Sequence, residues 1–144
     1  MEILAEALVD RPLTVLDLAE SSIGDTEVMI LASFLPQSHL KHLDLSGNPM
    51  IKMAGAVSIA DSGKSLESLS FQDSALSISA VGRITDMLPV SALKHLNLRS
   101  ACPYSSIGQS NPWMQILRGF AADGFTTSHD WGNDWGYNVS QLGL

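Results

Sequence analysis

The sequence predicts an α/β fold of stacked repeats, in which short parallel strands alternate with helices. Two observations carry this. A leucine pattern recurs as Leu13-Thr-Val-Leu16-Asp-Leu18, Leu40-Lys-His-Leu43-Asp-Leu45, Leu66-Glu-Ser-Leu69-Ser-Phe71 and Leu93-Lys-His-Leu96-Asn-Leu98, with its first leucines 27, 26 and 27 residues apart. A fixed period in this range marks a repeat architecture. Each pattern is also followed by apolar residues at helical spacing. The last of these falls five residues before the next first leucine in three places, at Leu8 to Leu13, Leu35 to Leu40 and Leu88 to Leu93.

The strands come from the first half of each block. Leu16/Leu18, Leu43/Leu45, Leu69/Phe71 and Leu96/Leu98 alternate with the polar residues Asp17, Asp44, Ser70 and Asn97. Period-two alternation makes a half-buried strand, apolar residues inward and polar residues outward. Equivalent strands stacked side by side form a parallel sheet, which needs a crossover after every strand. The second half of each block supplies it. Ile23, Val28, Leu31, Ala32 and Leu35 form one stripe, Ile51, Gly55, Ala56, Ile59 and Ala60 a second, and Leu76, Ala80, Val81, Ile84 and Leu88 a third. All follow the 3.6-residue period of an amphipathic helix. Gly63 is placed to end the second of these helices in a left-handed conformation.

These residues resemble the leucine-rich repeat family, in its ribonuclease-inhibitor-like class with one α-helix per repeat. Leu40-Lys-His-Leu43-Asp-Leu45-Ser-Gly-Asn48 carries the family pattern in full, including the asparagine whose side chain, in the family, bonds the backbone of the bend. Ser21, Ser74 and Ala101 stand at that position in the other blocks. Serine can replace part of the asparagine bonding and alanine cannot, so the fourth bend is expected to be irregular. The resemblance implies a short right-handed solenoid, strands on the concave side and helices on the convex side, and a role in binding protein without catalysis.

The repeats are assigned to residues 1–124, about four in number with the first partial, since Leu4, Ala5 and Leu8 match only the second half of a helix. Either that helix serves as a short cap or the chain is expected to be part of something longer. After Leu98 the rhythm changes. Residues 102–110 read as an expanded loop, and Pro112 to Phe120 as a last helix with Trp113, Ile116, Leu117 and Phe120 on one face. Residues 125–144 read as a degenerate terminal strand, Phe125 to Asp130, and a Trp/Gly-rich cap or tail. A cap covers the apolar end that stacked repeats expose. An anchor reading of the same tail uses Trp131, Trp135 and Tyr137 to dock on a partner.

Charge and composition narrow the function. The formal net charge is −7, and the eight Lys and Arg residues are scattered singly. Nucleic-acid binding needs basic clusters, so the acidic balance points away from it and toward a partner with a basic surface. No apolar run is long enough to span a membrane. The opening residues lack the basic segment of a signal peptide, and the single Cys102 fits a reducing compartment. Together these place the chain inside the cell, in the cytoplasm or an organelle interior. Asn138-Val-Ser140 matches a glycosylation acceptor, but three residues recur by chance.

No motif for hydrolase or metalloenzyme chemistry occurs. Gly63-Lys64-Ser65 follows a helix and has Ser58 where a phosphate-binding loop needs glycine, so a helix-ending turn explains it. His42, Asp44 and Asp17 share one open face, but a flat strand surface is a poor metal cage. His42 and His95, two strands apart, are about 10 Å from each other. Hence no enzyme activity, cofactor or metal is assigned. Thr14, Lys41, Glu67 and Lys94 form a column that alternates in charge and reads as a cross-strand ladder. The expected contact surface is Asp17, His42, Asp44, Ser46, Ser70, Gln72, His95, Asn97 and Arg99. The alternative is a structural subunit of a large assembly, held through its ends, helices and Trp-rich tail.

Overall fold

The computed structural model describes residues 2–99, 101, 125–129 and 137–141. Four short parallel strands follow one another through the first hundred residues: β1 (Val15–Asp17), β2 (His42–Asp44), β3 (Ser68–Ser70) and β4 (His95–Asn97). Helix α1 (Glu2–Asp10) precedes β1, and α2 (Asp25–Phe34), α3 (Met53–Ser62) and α4 (Ile78–Asp86) follow β1, β2 and β3. The strands pair in chain order with no slip. Leu16 stands opposite Leu43, Leu43 opposite Leu69, and Leu69 opposite Leu96. The helices pack on one another in the same order.

The core lies between sheet and helices. Leu43, Leu45, Leu69, Phe71, Leu96 and Leu98 are buried from the strand side, and the three helical stripes are buried opposite them. Each such leucine or phenylalanine contributes roughly 1.5–3 kcal/mol through burial. The first repeat is the exception. Leu13 is 36% exposed, whereas Leu40, Leu66 and Leu93 are at most 1% exposed. Leu16 and Leu18 are only partly buried. β1 is an edge strand, so its leucines are covered from one side only.

Helices α2, α3 and α4 start differently. In α4 the Ser77 hydroxyl accepts from the Ala80 N–H at 3.1 Å. At α2 the Glu27 carboxylate reaches back to the Gly24 N–H at 2.9 Å. At α3 the preceding residue is Lys52, which has no acceptor to offer. Asp25, from the previous helix, takes over: its Oδ1 accepts from the Lys52 N–H at 2.8 Å and the Gly55 N–H at 2.9 Å. One repeat thereby caps the helix of the next. This also fixes Gly55, where a Cβ would lie 2.8 Å from that same oxygen.

The ends of α2 and α4 tighten into single 3₁₀ turns, Leu35–Gln37 and Leu88–Val90, each with a proline that stops the helix. α3 ends at Gly63, but not in the left-handed conformation expected, since its φ is −86°. Space explains this glycine: a Cβ would lie 2.7 Å from the Ile59 carbonyl and 2.9 Å from Leu66 Cδ1.

Left-handed backbone occurs at a position the pattern did not flag. Glu20, Gly47 and Asp73, eighth in their blocks, have φ of 53°, 65° and 54°. The chain turns there after each strand, with the Glu20, Gly47 and Asp73 N–H groups donating to the Ser46, Gln72 and Arg99 carbonyls. At the following position Asn48 is fully buried. Its Oδ1 accepts from the Ser21 and Ile23 N–H groups at 3.1 and 3.2 Å. Its Nδ2 donates to the Leu18, Leu45 and Ser46 carbonyls at 2.9, 2.9 and 3.1 Å. The asparagine thus serves its own bend and that of the repeat before it. Ser74 does not replace it as expected, because its buried hydroxyl has no hydrogen-bond partner among the described residues. In the fourth bend the Ala101 N–H donates to the Leu98 carbonyl as Ser74's does to Phe71, and the rest of that bend lies outside the described residues.

The sheet also extends beyond four strands. β5 (Phe125–His129) lies in the segment read as a degenerate strand, and it does not continue the parallel series. β6 (Tyr137–Gln141) inserts between β4 and β5 and pairs antiparallel with both, giving the order β1-β2-β3-β4-β6-β5. Asn138, of the glycosylation-like triplet, stands in β6 opposite Asn97 on one side and Ser128 on the other. The expected helix from Pro112 to Phe120, Cys102, Trp131 and Trp135 lie outside the described residues. No helix among the described residues is long and apolar enough to cross a membrane.

Candidate functional site

Strand alternation buries the leucines and turns their neighbours to the opposite face. The register sets Val15, His42, Ser68 and His95 in one row, and Asp17, Asp44, Ser70 and Asn97 in the next. Ser46, Gln72 and Arg99 continue the face past the strand ends. Asp17, His42, His95 and Arg99 are exposed, and Asp44, Ser46, Ser70, Gln72 and Asn97 half-buried. Val15 interrupts the polar rows with an apolar side chain that is 56% exposed.

Several of these groups are held by neighbours. Asp17 Oδ1 accepts from the Ala19 N–H at 2.9 Å, Asp44 Oδ1 from the Ser46 N–H at 2.9 Å, and Asn97 Oδ1 from the Arg99 N–H at 3.0 Å. These are Asx turns, in which a short carboxylate or amide satisfies an N–H two residues on as the strand ends. The Ser46 hydroxyl also donates to Asp44 and lies 2.7 Å from the Ser70 hydroxyl. Gln72 accepts from Asn97 Nδ2 at 3.1 Å and donates to Asp73 at 3.0 Å. The face therefore carries two groups of pre-oriented donors and acceptors, one bridging β2 to β3 and one bridging β3 to β4. The residues at its strand ends serve the turns as well as facing outward, a double role the alternation alone did not disclose.

The charge ladder at the strand starts is present. Glu67 lies 2.7 Å from Lys94 on one side and 3.8 Å from Lys41 on the other. The Lys94 hydrogen bond and charge hold the Glu67 carboxyl below its ordinary pKa, with Lys41 and His42 adding to this and partial desolvation opposing it. Each pair is open to solvent, which screens it, so its contribution to stability is small. On the helix side, Arg83 and Asp61 link α4 to α3 at 3.0 Å.

Among the described residues no group of three or more His, Cys, Asp or Glu side chains could hold a metal ion. Of the three residues expected as an anchor, Trp131 and Trp135 are outside the described residues. Tyr137 opens β6 opposite His129.

A search of curated proteins found no match to this chain. Residues 37–60 match a family model described as leucine rich repeat. The matched span runs from the 3₁₀ turn after α2 through β2 and Asn48 into α3. That match and the four-stranded parallel sheet support a leucine-rich repeat protein, a family whose domains commonly mediate protein–protein interaction and are generally non-catalytic.

Proposed function

We propose that this chain is a non-catalytic protein-binding module of the ribonuclease-inhibitor-like repeat class, an intracellular one, and that its partner docks on the outer sheet face. The contact residues are Asp17, His42, Asp44, Ser46, Ser70, Gln72, His95, Asn97 and Arg99. One observation carries the reading: four strands in unslipped register set their polar residues on a single face, with the leucines buried behind. Such a face offers many hydrogen-bonding groups at fixed spacing and few deep contacts, which suits a protein surface better than a small molecule.

The test is a binding measurement with the triple variant His42→Ala, Asp44→Asn, His95→Ala. Asparagine keeps the turn acceptor at position 44 while removing its charge. Partner binding is expected to be lost with the melting temperature little changed. Retained binding rejects the face.

The second reading, a structural subunit of a larger assembly, draws on exposed apolar side chains elsewhere. Ile3, Leu13 and Val15 lie in or before the edge strand, and Met29, Met50 and Met53 in or beside α2 and α3. Exposed apolar residues of this size mark contact surfaces when they are contiguous. In that case the triple variant binds normally and polar substitution at Met29, Met50 and Met53 disrupts association. The hairpin of β5 and β6 against β4 supports a capping role for the C-terminal segment.

A further inference from the structure

The outer face is not uniform in charge along the strand direction. At the strand starts Lys41 and Lys94 flank Glu67, leaving a net positive charge beside the exposed His42 and His95. Past the strand middles the β1–β2 side is acidic, while the exposed Arg99 continues the face at the β4 end. Asp17 and Asp44 stand side by side in register, and Glu20 and Asp73 follow in the left-handed turns. Gly47 contributes to this arrangement: a Cβ there would lie 2.8 Å from Glu20 Cγ, so the missing side chain leaves room for the Glu20 stem over the second repeat. Asp17 and Asp44 use only Oδ1 in their turns, and the second oxygen of each has no partner among the described residues.

We infer that the face takes an extended segment of a partner protein in one orientation, its acidic residues over Lys41 and Lys94 and its Lys or Arg residues over Asp17, Asp44 and Glu20. The inference rests on the outer face being the docking surface. The two fields lie three to six residues apart along the strand direction, about 10–20 Å at the rise of a strand. A partner segment in extended form therefore carries its opposite charges about three to six residues apart. Reversing that order places carboxylate on carboxylate and ammonium on ammonium, which is how charged interfaces reject wrong partners.

The experiment selects twelve-residue peptides from a random library displayed on phage, using the intact chain as bait. The best peptides are then measured against two neutralised variants. Lys41→Gln with Lys94→Gln removes the positive field. Asp17→Asn with Asp44→Asn removes negative charge while keeping both turn acceptors. The expected result is selected peptides with an acidic and a basic cluster at that spacing. Each variant weakens binding about tenfold, and only for peptides that retain the cluster facing it. Peptides that lose affinity when His42, Ser70 and His95 are replaced by alanine, yet show no charge order, overturn this inference and leave the docking face standing. Peptides indifferent to all these substitutions overturn both.

Discussion

The bends after β2 and β3 occupy equivalent places in successive repeats, yet their interiors differ. In the first, Asn48 makes five hydrogen bonds to backbone groups of two repeats, and a glycine occupies the left-handed position before it. In the second, Ser74 is also buried, its hydroxyl has no partner among the described residues, and the left-handed position is Asp73. The strands on either side pair in the same register. Buried leucines therefore suffice to hold the repeat spacing, and the polar bend decides how firmly neighbours are tied.

The largest effect is expected from Asn48→Ala. It leaves several backbone donors and acceptors orphaned at about 1–3 kcal/mol for each one buried, so a loss of at least 3 kcal/mol should appear as a much lower denaturation midpoint. A loss under 1 kcal/mol would mean that water serves the bend as well as the amide does. Next is a pair of opposite changes. Gly47→Ala meets both a positive φ and the Glu20 stem, and should destabilise by about 1–2 kcal/mol. Asp73→Gly relieves the same backbone conformation and should stabilise by up to about 1 kcal/mol. Equal signs in the two melts would break the equivalence of the bends.

Ser74→Ala is expected to be neutral or slightly stabilising, within about 1 kcal/mol, because it removes a hydroxyl that is desolvated without return. A clear destabilisation would show that the hydroxyl is satisfied in solution. The smallest effect concerns the strand starts shared by both repeats. Glu67 has a lowered pKa in the folded chain, so its contribution is fully present above the ordinary glutamate range and is lost as pH falls through the lowered value. The melting difference between wild type and Glu67→Gln should therefore be constant at neutral pH, shrink in acid, and shrink with added salt. A difference that grows in acid contradicts the ion-pair origin.

What could be read from the sequence follows the same division. The strand leucines and helical stripes were legible because burial imposes periods of 2 and 3.6. Asn48 was legible through the family resemblance, and the Lys41–Glu67–Lys94 ladder through strand register. The turns were not. Glu20 and Asp73 are poor signals for left-handed backbone, and Asp25 caps a helix 27 residues away that its own neighbourhood does not predict. β6 escaped notice because five residues after a glycine-rich stretch carry no repeat period, and pairing with β4 is a long-range choice. On the face, alternation identified which residues point outward. It did not reveal that Asp17, Asp44 and Asn97 are also engaged in closing their own strands.

Because Asn48 accepts from the Ser21 and Ile23 amides, the proton exchange of those two groups is governed by a residue in the next repeat. Their protection reports on whether the second repeat is intact and not on the first alone. Loosening at the β1 edge would then halt at Ser21 until Asn48 lets go, which makes that amide a natural sentinel for cooperative opening.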